Sequence, residues 1–435
     1  MARTETSPKA ALVTLGCPMN QVDSENIMGG LVSYGFEIVS EEEADIVIVN
    51  TCGFIEDAKE ESIDTILSIA DLKEHGNLKS LVVAGCLAER YRTELERDLT
   101  EADAIVGLDG RDNIPSLCLK LLNRKEQARS VYSRVVTGPP HSAYLRISEG
   151  CDNHCTFCTI PKIRGRFRSV PEEKVLSDAQ ELVSLGAREL ILIGQDTTGY
   201  GSDLDGKTLP GLLRRLSEID GVAWLRLMYT HPAHFTDELI EVINGLDKVV
   251  PYIDMPIQHI SGAVLKRMGR NTSPDNIRSL IDKIRKRIEN VVLRTALIVG
   301  FPGESERDFT ELVEFVKNVR FERLGAFIYS PEEGTRAVKL DGRVSDDVAQ
   351  ERFELLMETQ SDIIHRFHQS LVGREFDMIA DEYDSEINTI WGRTYMDAPD
   401  IDCAVSMKND ESPDKAFCRI KITRAETYDL VGEEV

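Results

Sequence analysis

The chain has 435 residues, 42% of them hydrophobic, with 51 Lys plus Arg against 75 Asp plus Glu and a formal net charge of −24. That length is expected to hold two to four domains with cores of their own, and the balance is that of an ordinary globular protein. It leaves no surplus positive charge to hold nucleic acid phosphates, and no run approaches the roughly 18 uninterrupted apolar residues of a membrane span.

The polar start "MARTETSPKA" runs into one short apolar stretch without a basic-then-apolar targeting pattern, so a cytosolic (cytoplasmic) protein is expected. Nine cysteines in a reducing compartment point to metal binding or catalysis rather than disulfides. The acidic surface suits a basic partner or serves solubility, and charge alone does not separate the two.

The first ~120 residues alternate short apolar runs with amphipathic stretches, the pattern of a βα repeat. "AALVTLGC" reads as a strand ending at Cys17, with "DSENIMGGLVSYGF" as the helix after it. "ADIVIVNTC" ends at Cys52 and leads into helical "EDAKEESIDTILSIADLKE"; "SLVVAGC" ends at Cys86, and "AIVGL" is a fourth strand. In a parallel α/β sheet ligands gather outside the carboxyl ends of the strands. One βα period per cysteine therefore puts Cys17, Cys52 and Cys86 on the same edge, a candidate shared metal or cluster site. Cys118, in helical "PSLCLKLLNRK", reads as a buried structural cysteine.

From Asn123 to Ala143 the chain turns polar and passes through "TGPPHS", a linker pattern. Six β-like runs then alternate with helical ones: "AYLRIS", "ELILIG", "WLRLMY", "VPYIDMPI", "VVLRTALIVG" and "LGAFIYS". "PEEKVLSDAQELVSLG" and "SPDNIRSLIDKIRKRIE" are among the helices between them. This predicts an incomplete (β/α)6 barrel with its reactive groups at the strands' C-terminal mouth. "DDVAQERFELLMETQSDIIHRFHQSLVG" is a long amphipathic helix, expected on the barrel's outside. After Gly373 the segments "REFDMIA", "INTIWGRTY", "CAVSMK" and "FCRIKITRAETYDLVG" form a small all-β module. Its Cys403 and Cys418 read as structural.

"EGCDNHCTFCTI" sets Cys151, Cys155 and Cys158 in a C-x3-C-x2-C pattern, one ligand short of a tetrahedral zinc or cubane site. His154 would be the fourth zinc ligand, but it directly precedes Cys155, and adjacent residues seldom reach the same face of a metal. Three thiolates in a tight loop after the first barrel strand fit a 4Fe–4S cluster with one open iron better.

"CDNHCTFC" resembles the C-x3-C-x-aromatic-C signature of radical S-adenosylmethionine (SAM) enzymes, with Phe157 at the aromatic position. The resemblance implies that Cys151, Cys155 and Cys158 hold a 4Fe–4S cluster whose unique iron chelates SAM. Reductive cleavage of SAM there gives methionine and a 5′-deoxyadenosyl radical. Further motifs agree. "ILIGQDTTGYG" stands where that family has a glycine-rich segment meeting the methionine of SAM, with Gly194, Gln195 and Asp196 in place of the more usual Gly-Gly-Glu. "LIVGFPGES", with Ile298, Gly300 and Phe301, resembles the strand that packs on the adenine. "DMPIQH", with Gln258, and Arg294 are placed at strand ends, where ribose and carboxylate contacts are implied.

Together the three parts resemble the radical SAM methylthiotransferases, from about Lys9 to the end of the chain. The implied fold is an N-terminal parallel α/β (Rossmann-like) domain at 8–124, a radical SAM core at 137–368, and an all-β TRAM (OB-like) domain at 371–435. The resemblance implies a second, auxiliary 4Fe–4S cluster on Cys17, Cys52 and Cys86. It further implies SAM as both methyl donor and radical source, and an electron donor such as flavodoxin or ferredoxin. One branch of this family modifies an adenosine of transfer RNA, the other the β-carbon of an aspartate in small-subunit ribosomal protein S-twelve. "SEGCDNHCTFCTIPKIRGRFRS", "GQDTTGYG" and "YIDMPIQH" resemble the ribosomal-protein branch. Charge leans the same way, because residues 371–435 carry 16 Asp plus Glu against 7 Lys plus Arg. That suits a basic ribosomal protein and opposes direct nucleic acid binding outside the ribosome. The basic run "KIRGRFRS" stays open between a solvated loop and a contact with substrate or SAM.

Overall fold

The computed structural model describes residues 7–125, 134–409 and 415–435, which form two compact units. The first runs to Thr137 and also takes in Thr159–Arg166; the second is Gly138–Cys158 with Phe167–Val435. The polar stretch read as a linker lies partly outside the described residues.

The first unit is a five-stranded parallel sheet of β1 (Lys9–Thr14), β2 (Glu37–Ile38), β3 (Ile46–Thr51), β4 (Ser80–Gly85) and β5 (Ala104–Val106), ordered β2-β1-β3-β4-β5. β3 and β4 are buried at every position, as parallel strands covered on both faces must be, and their β-branched runs supply that burial. The two-residue β2 is an addition to the four strands expected. The first helix spans Pro18–Ser33, beginning before the expected Asp23, with Pro18 pre-set for the first turn. The next, Glu56–His75, has Glu56 and Asp57 in its first turn and Lys73 and His75 in its last, each sign matched to the helix dipole. Cys118 is fully buried in the helix Ile114–Leu121.

In the second unit β6 (Ser142–Arg146) is followed by β7 (Ser148–Glu149), which pairs with β8 (Arg168–Ser169). β9 (Glu189–Ile193), β10 (Trp224–Leu227), β11 (Val249–Asp254), β12 (Val292–Val299) and β13 (Arg323–Ile328) complete the set. β6 and β9–β13 form one parallel six-stranded sheet in sequential order, the incomplete barrel. The long helix Asp346–Gln369 lies on β12 and β13 and the helix Glu306–Val319, through a face that includes Ala349, Leu356, Ile363 and Ile364.

The C-terminal module is a closed five-stranded barrel. Its strands are β14 (Glu375–Asp384), β15 (Thr389–Arg393), β16 (Val405–Lys408), β17 (Phe417–Ala425) and β18 (Leu430–Glu434). The run read as one segment from Phe417 divides at a turn, where the Glu426 N–H donates to the Asp429 carbonyl at 2.8 Å. The module shares buried ion pairs with the six-stranded sheet. Fully buried Glu189 accepts from Arg226 Nε at 2.7 Å and from Arg393 Nη2 at 2.9 Å. Arg323 of β13 donates to Asp397 of the module at 2.6 and 2.8 Å.

Candidate functional site

Two groups of thiols stand at strand ends, one in each unit. In the first, β1, β3 and β4 are parallel neighbours, so their carboxyl ends lie along one edge. Cys52 directly follows β3, Cys86 directly follows β4, and Cys17 comes three residues after β1 at the start of the first helix. The strand order reverses between β1 and β3, the point at which open α/β sheets take ligands. A Cβ placed on Gly16 would lie 2.7 Å from Cys52 Cβ and 2.9 Å from its Sγ, so the first two cysteine loops touch. All three thiols are free. Burial raises the Cys52 thiol and pushes Cys86 up to about 12, with the charge and hydrogen bond of Arg164 opposing this at Cys86. Three crowded thiols, two of them buried, become thiolates on binding a cation, so the donor set fits a metal–sulfur group.

A polar frame backs this edge. Asn20 Nδ2 donates to the carbonyls of Leu15 and Thr51, both at 2.9 Å, which turns Asn20 Oδ1 toward Cys86 Sγ at 3.4 Å. Arg164 Nη2 donates to Asn20 Oδ1 at 2.7 Å and to Asp23 Oδ2 at 2.9 Å, and lies 3.5 Å from Cys86 Sγ. Of the run "KIRGRFRS", Lys162, Arg166 and Arg168 are exposed while Arg164 is buried in the first unit. Neither reading offered for that run therefore describes Arg164. Asn20 and Asp23 escaped the sequence reading too. Their signal was a helix whose inward face carries Asn20, Asp23, Ser24 and Glu25 directly after a cysteine.

In the second unit Cys151, Cys155 and Cys158 occupy the loop after β7, all partly buried. Asn153 aims both its backbone N–H and its Nδ2 at Cys151 Sγ, each at 3.4 Å. Arg270 Nη1 lies 3.6 Å from Cys155 Sγ, steadied by Nη2 donating to the Pro256 carbonyl at 2.6 Å. Burial raises the Cys151 thiol, and the Asn153 donors work against that. N–H groups aimed at sulfur are the surroundings that thiolates of a 4Fe–4S cluster require, so these residues fit one. His154 is exposed, and its carbonyl accepts from Arg336.

The structure brings two of the three residues after β9 to this loop. Gln195 Oε1 accepts from the Gly150 N–H at 2.7 Å, and Asp196 Oδ2 accepts from Asn153 Nδ2 at 2.8 Å. Gly194 packs on Ser148, where a side chain would meet Oγ at 2.2 Å. Phe157, Ile298 and Phe301 share one apolar cluster with Val264, Met268, Ala337 and Tyr329, the Phe157 and Phe301 rings 6.2 Å apart and nearly perpendicular. Gly300 separates Phe301 from the end of β12 at a positive φ of 71°. Gln258 also has positive φ, 70°, and its backbone bridges to the strand beside it at Leu297.

Arg294 stands apart from the position expected for it. It is the third residue of β12, near the strand's start, and its guanidinium is taken by Asp254 at 2.8 Å and Asp402 at 3.3 Å. Tyr252 donates to the same Asp402 at 2.6 Å. Those carboxylates satisfy a largely buried cation, so Arg294 joins the sheet to the C-terminal module rather than lining the mouth.

Asp196 also meets His234 Nδ1 at 2.8 Å, with the His231 ring stacked 4.9 Å from His234. A carboxylate oxygen and two ring nitrogens thus fall within 4.8 Å of one another. Asp196 is already served by Thr198, Gly199, Asn153 and His234, and His231 Nδ1 accepts from Ala233 N–H, which makes this a hydrogen-bonded network. Burial would raise the Asp196 carboxyl, but its His234 and Thr198 partners bring it down to about 2. Burial and Arg270 lower His231 to about 3, and the Asp196 bond raises His234.

Residues 9–107 match a family described as uncharacterized protein family UPF0004, 145–316 the radical SAM superfamily, and 372–435 the TRAM domain. The solved structure of the radical SAM methyltransferase TsrM from Kitasatospora setae, with tryptophan and a SAM analogue bound, aligns at TM-score 0.56 and 13% identity. The alignment covers 82% of this chain and 89% of that one, and the likeness is one of fold. Among curated proteins, the ribosomal protein uS12 methylthiotransferase RimO of Geotalea uraniireducens is 44% identical, covering 99% of each chain. That of Lachnoclostridium phytofermentans is 46% identical over 98% of this chain and 99% of its own. With all three parts matched and the likeness running end to end, the chain belongs to the RimO family of ribosomal protein uS12 methylthiotransferases.

Proposed function

We propose that the protein is a radical SAM transferase that replaces one hydrogen on the β-carbon of an aspartate in ribosomal protein uS12 by a methylthio group. The observation that carries this is its 44–46% identity, over nearly the whole chain, to proteins named for that activity. An aliphatic C–H bond offers no acid or base handle, so the side chains need not supply the bond-breaking chemistry; they hold and orient what does. SAM and one 4Fe–4S cluster come with the radical SAM family, and when bound they supply the electron and the hydrogen-abstracting radical.

Cys151, Cys155 and Cys158 hold that cluster in this reading. Asn153 and Arg270 steady the thiolates of Cys151 and Cys155, supported by their distances to the sulfurs. Asp196 holds Asn153 in place, and Gln195 fixes the loop at Gly150. Phe157, Ile298, Gly300 and Phe301 form the apolar wall for the adenine, with Gly194 and Gln258 at its margins. Cys17, Cys52 and Cys86 would hold a second 4Fe–4S cluster, which would supply a site for the sulfur that the reaction inserts, supported by their shared sheet edge. Domain limits of 8–124, 137–368 and 371–435 accompany this assignment, with Thr159–Arg166 packed into the first.

The electron donor is a flavodoxin or ferredoxin, and the setting is the cytoplasm, where free thiols persist and ribosomes are made. The acidic balance of residues 371–435 supports a basic protein as substrate rather than RNA. No helix among the described residues is long and apolar enough to cross a membrane.

The test compares masses of uS12 and of digested transfer RNA from cells with and without the gene. A CH2S increment on uS12 that disappears with the gene is expected; an increment on transfer RNA alone overturns the substrate. Replacing Cys17, Cys52 and Cys86 together with Ala should halve the iron of anaerobically reconstituted protein. It should leave 5′-deoxyadenosine release intact and abolish sulfur insertion. Unchanged iron content would remove the second cluster from this reading.

A further inference from the structure

Of the basic side chains in the run "KIRGRFRS", the fold buries Arg164, whose side chain is 1% exposed. Burying a guanidinium is costly unless it is paired and hydrogen-bonded, so its surroundings show what it is there to meet. Its Nη2 meets three acceptors: Asn20 Oδ1 at 2.7 Å, Asp23 Oδ2 at 2.9 Å and Cys86 Sγ at 3.5 Å. Asp23 is shared, since Arg111 Nη1 donates to its other oxygen at 2.9 Å. Asn20 cannot turn its amide round without losing two bonds to backbone carbonyls, so its oxygen is committed to Arg164 and Cys86. Helix Pro18–Ser33 supplies Asn20 and Asp23, the end of β4 supplies Cys86, and the segment Thr159–Arg166 brings in the cation.

A neutral thiol is a weak acceptor and gives a buried guanidinium little. A metal-bound thiolate is an anion, and the same contact then becomes a charge-assisted hydrogen bond in a site closed to water. Donors and positive charge beside the ligand sulfurs stabilise the more negative, reduced form of an iron–sulfur cluster and so raise its reduction potential.

We propose that Arg164, oriented by Asn20 and Asp23, is the counter-charge built into the Cys17–Cys52–Cys86 site and sets the reduction potential of the cluster held there. It is a positioning residue, acting through the Cys86 sulfur. The inference rests on the second cluster proposed above, and the experiment separates the two.

In the full-length chain, Cys151, Cys155 and Cys158 are replaced by Ala so that only the first-unit site can bind iron and sulfide. Failure of this protein to take up a 4Fe–4S cluster on anaerobic reconstitution would overturn the parent reading. With the cluster bound, dithionite adds one electron, and the midpoint potential and electron paramagnetic resonance spectrum are recorded. Arg164→Met is then expected to retain the iron but move the midpoint to more negative potential. Arg164→Lys, which keeps the charge and loses the fork, should shift it less. Equal potentials and spectra in the Arg164→Met protein and its parent would overturn the proposal. Should Arg164→Met fail to fold, Arg164→Gln, which keeps an N–H donor and removes the charge, decides: a negative shift supports the role and an unchanged potential overturns it.

Discussion

At the scale of single residues, what stands out is how many side chains serve the cysteine loops at one remove. Asp196 does not touch a cysteine; it holds Asn153, which donates to Cys151. The same carboxylate holds His234, and that bond raises the ring above its ordinary value of 6.5. A histidine raised in this way stabilises the fold fully below its unfolded value, and the contribution fades as pH climbs through the folded one. Ring-proton NMR of the oxidised protein should place the His234 midpoint above 6.5, and Asp196→Asn should lower it. A midpoint that Asp196→Asn leaves alone would break the link. None of this is legible in the sequence. "GQDTTGYG" flagged Asp196, but His231 and His234 lie more than thirty residues on, and only pairing of β9 with β10 brings their loops together.

At the scale of elements, the apolar runs were legible because each strand had a single burial pattern to satisfy. β3, β4 and β9 are buried throughout, and a continuous β-branched or aliphatic run has few other uses. The first helix reads from Asp23 in the sequence and begins at Pro18 in the fold for the opposite reason. Its inward face carries Asn20, Asp23, Ser24 and Glu25, which break the apolar period and are buried only because partners distant in sequence receive them.

Helix Glu306–Val319 depends on local chemistry instead. Ser305 Oγ accepts from the Asp308 N–H at 3.3 Å, while Asp308 Oδ2 accepts from the Ser305 N–H at 2.9 Å, a capping box. Ser305→Ala should cost about 1 kcal/mol, read as a lower urea midpoint. Asp308→Ala should cost more, because Ser261 also donates its hydroxyl to that carboxylate. Equal losses would mean that the Ser261 bond contributes nothing.

At the scale of the whole molecule, the second unit couples two architectures through buried charge. Burial would raise the Glu189 carboxyl, yet Arg393 and Arg226 outweigh it and bring it from 4.5 to about 2. A carboxyl depressed in the fold stabilises above its unfolded value and loses that contribution as pH falls toward the folded one, so this joint should weaken between about pH 4 and 2. Glu189→Ala takes the carboxylate partner from fully buried Arg226, while Arg393 keeps Asp381, and should cost about 3–5 kcal/mol in denaturant unfolding. A loss below about 1 kcal/mol, the size of an exposed pair, would show that water reaches them.

The sequence by itself determined the three-part architecture, the six cysteines in two triads and the family, because these depend on short-range periodicity and on motifs complete within a few residues. Tertiary structure alone decided which polar residues attend the sulfurs. It buried Arg164 beside Cys86, set Asn20 and Asp23 around it, and withdrew Arg294 to Asp254 and Asp402. A buried charge settles wherever the fold supplies its counter-charge, and those partners lie 40 to 144 residues away, beyond any local pattern.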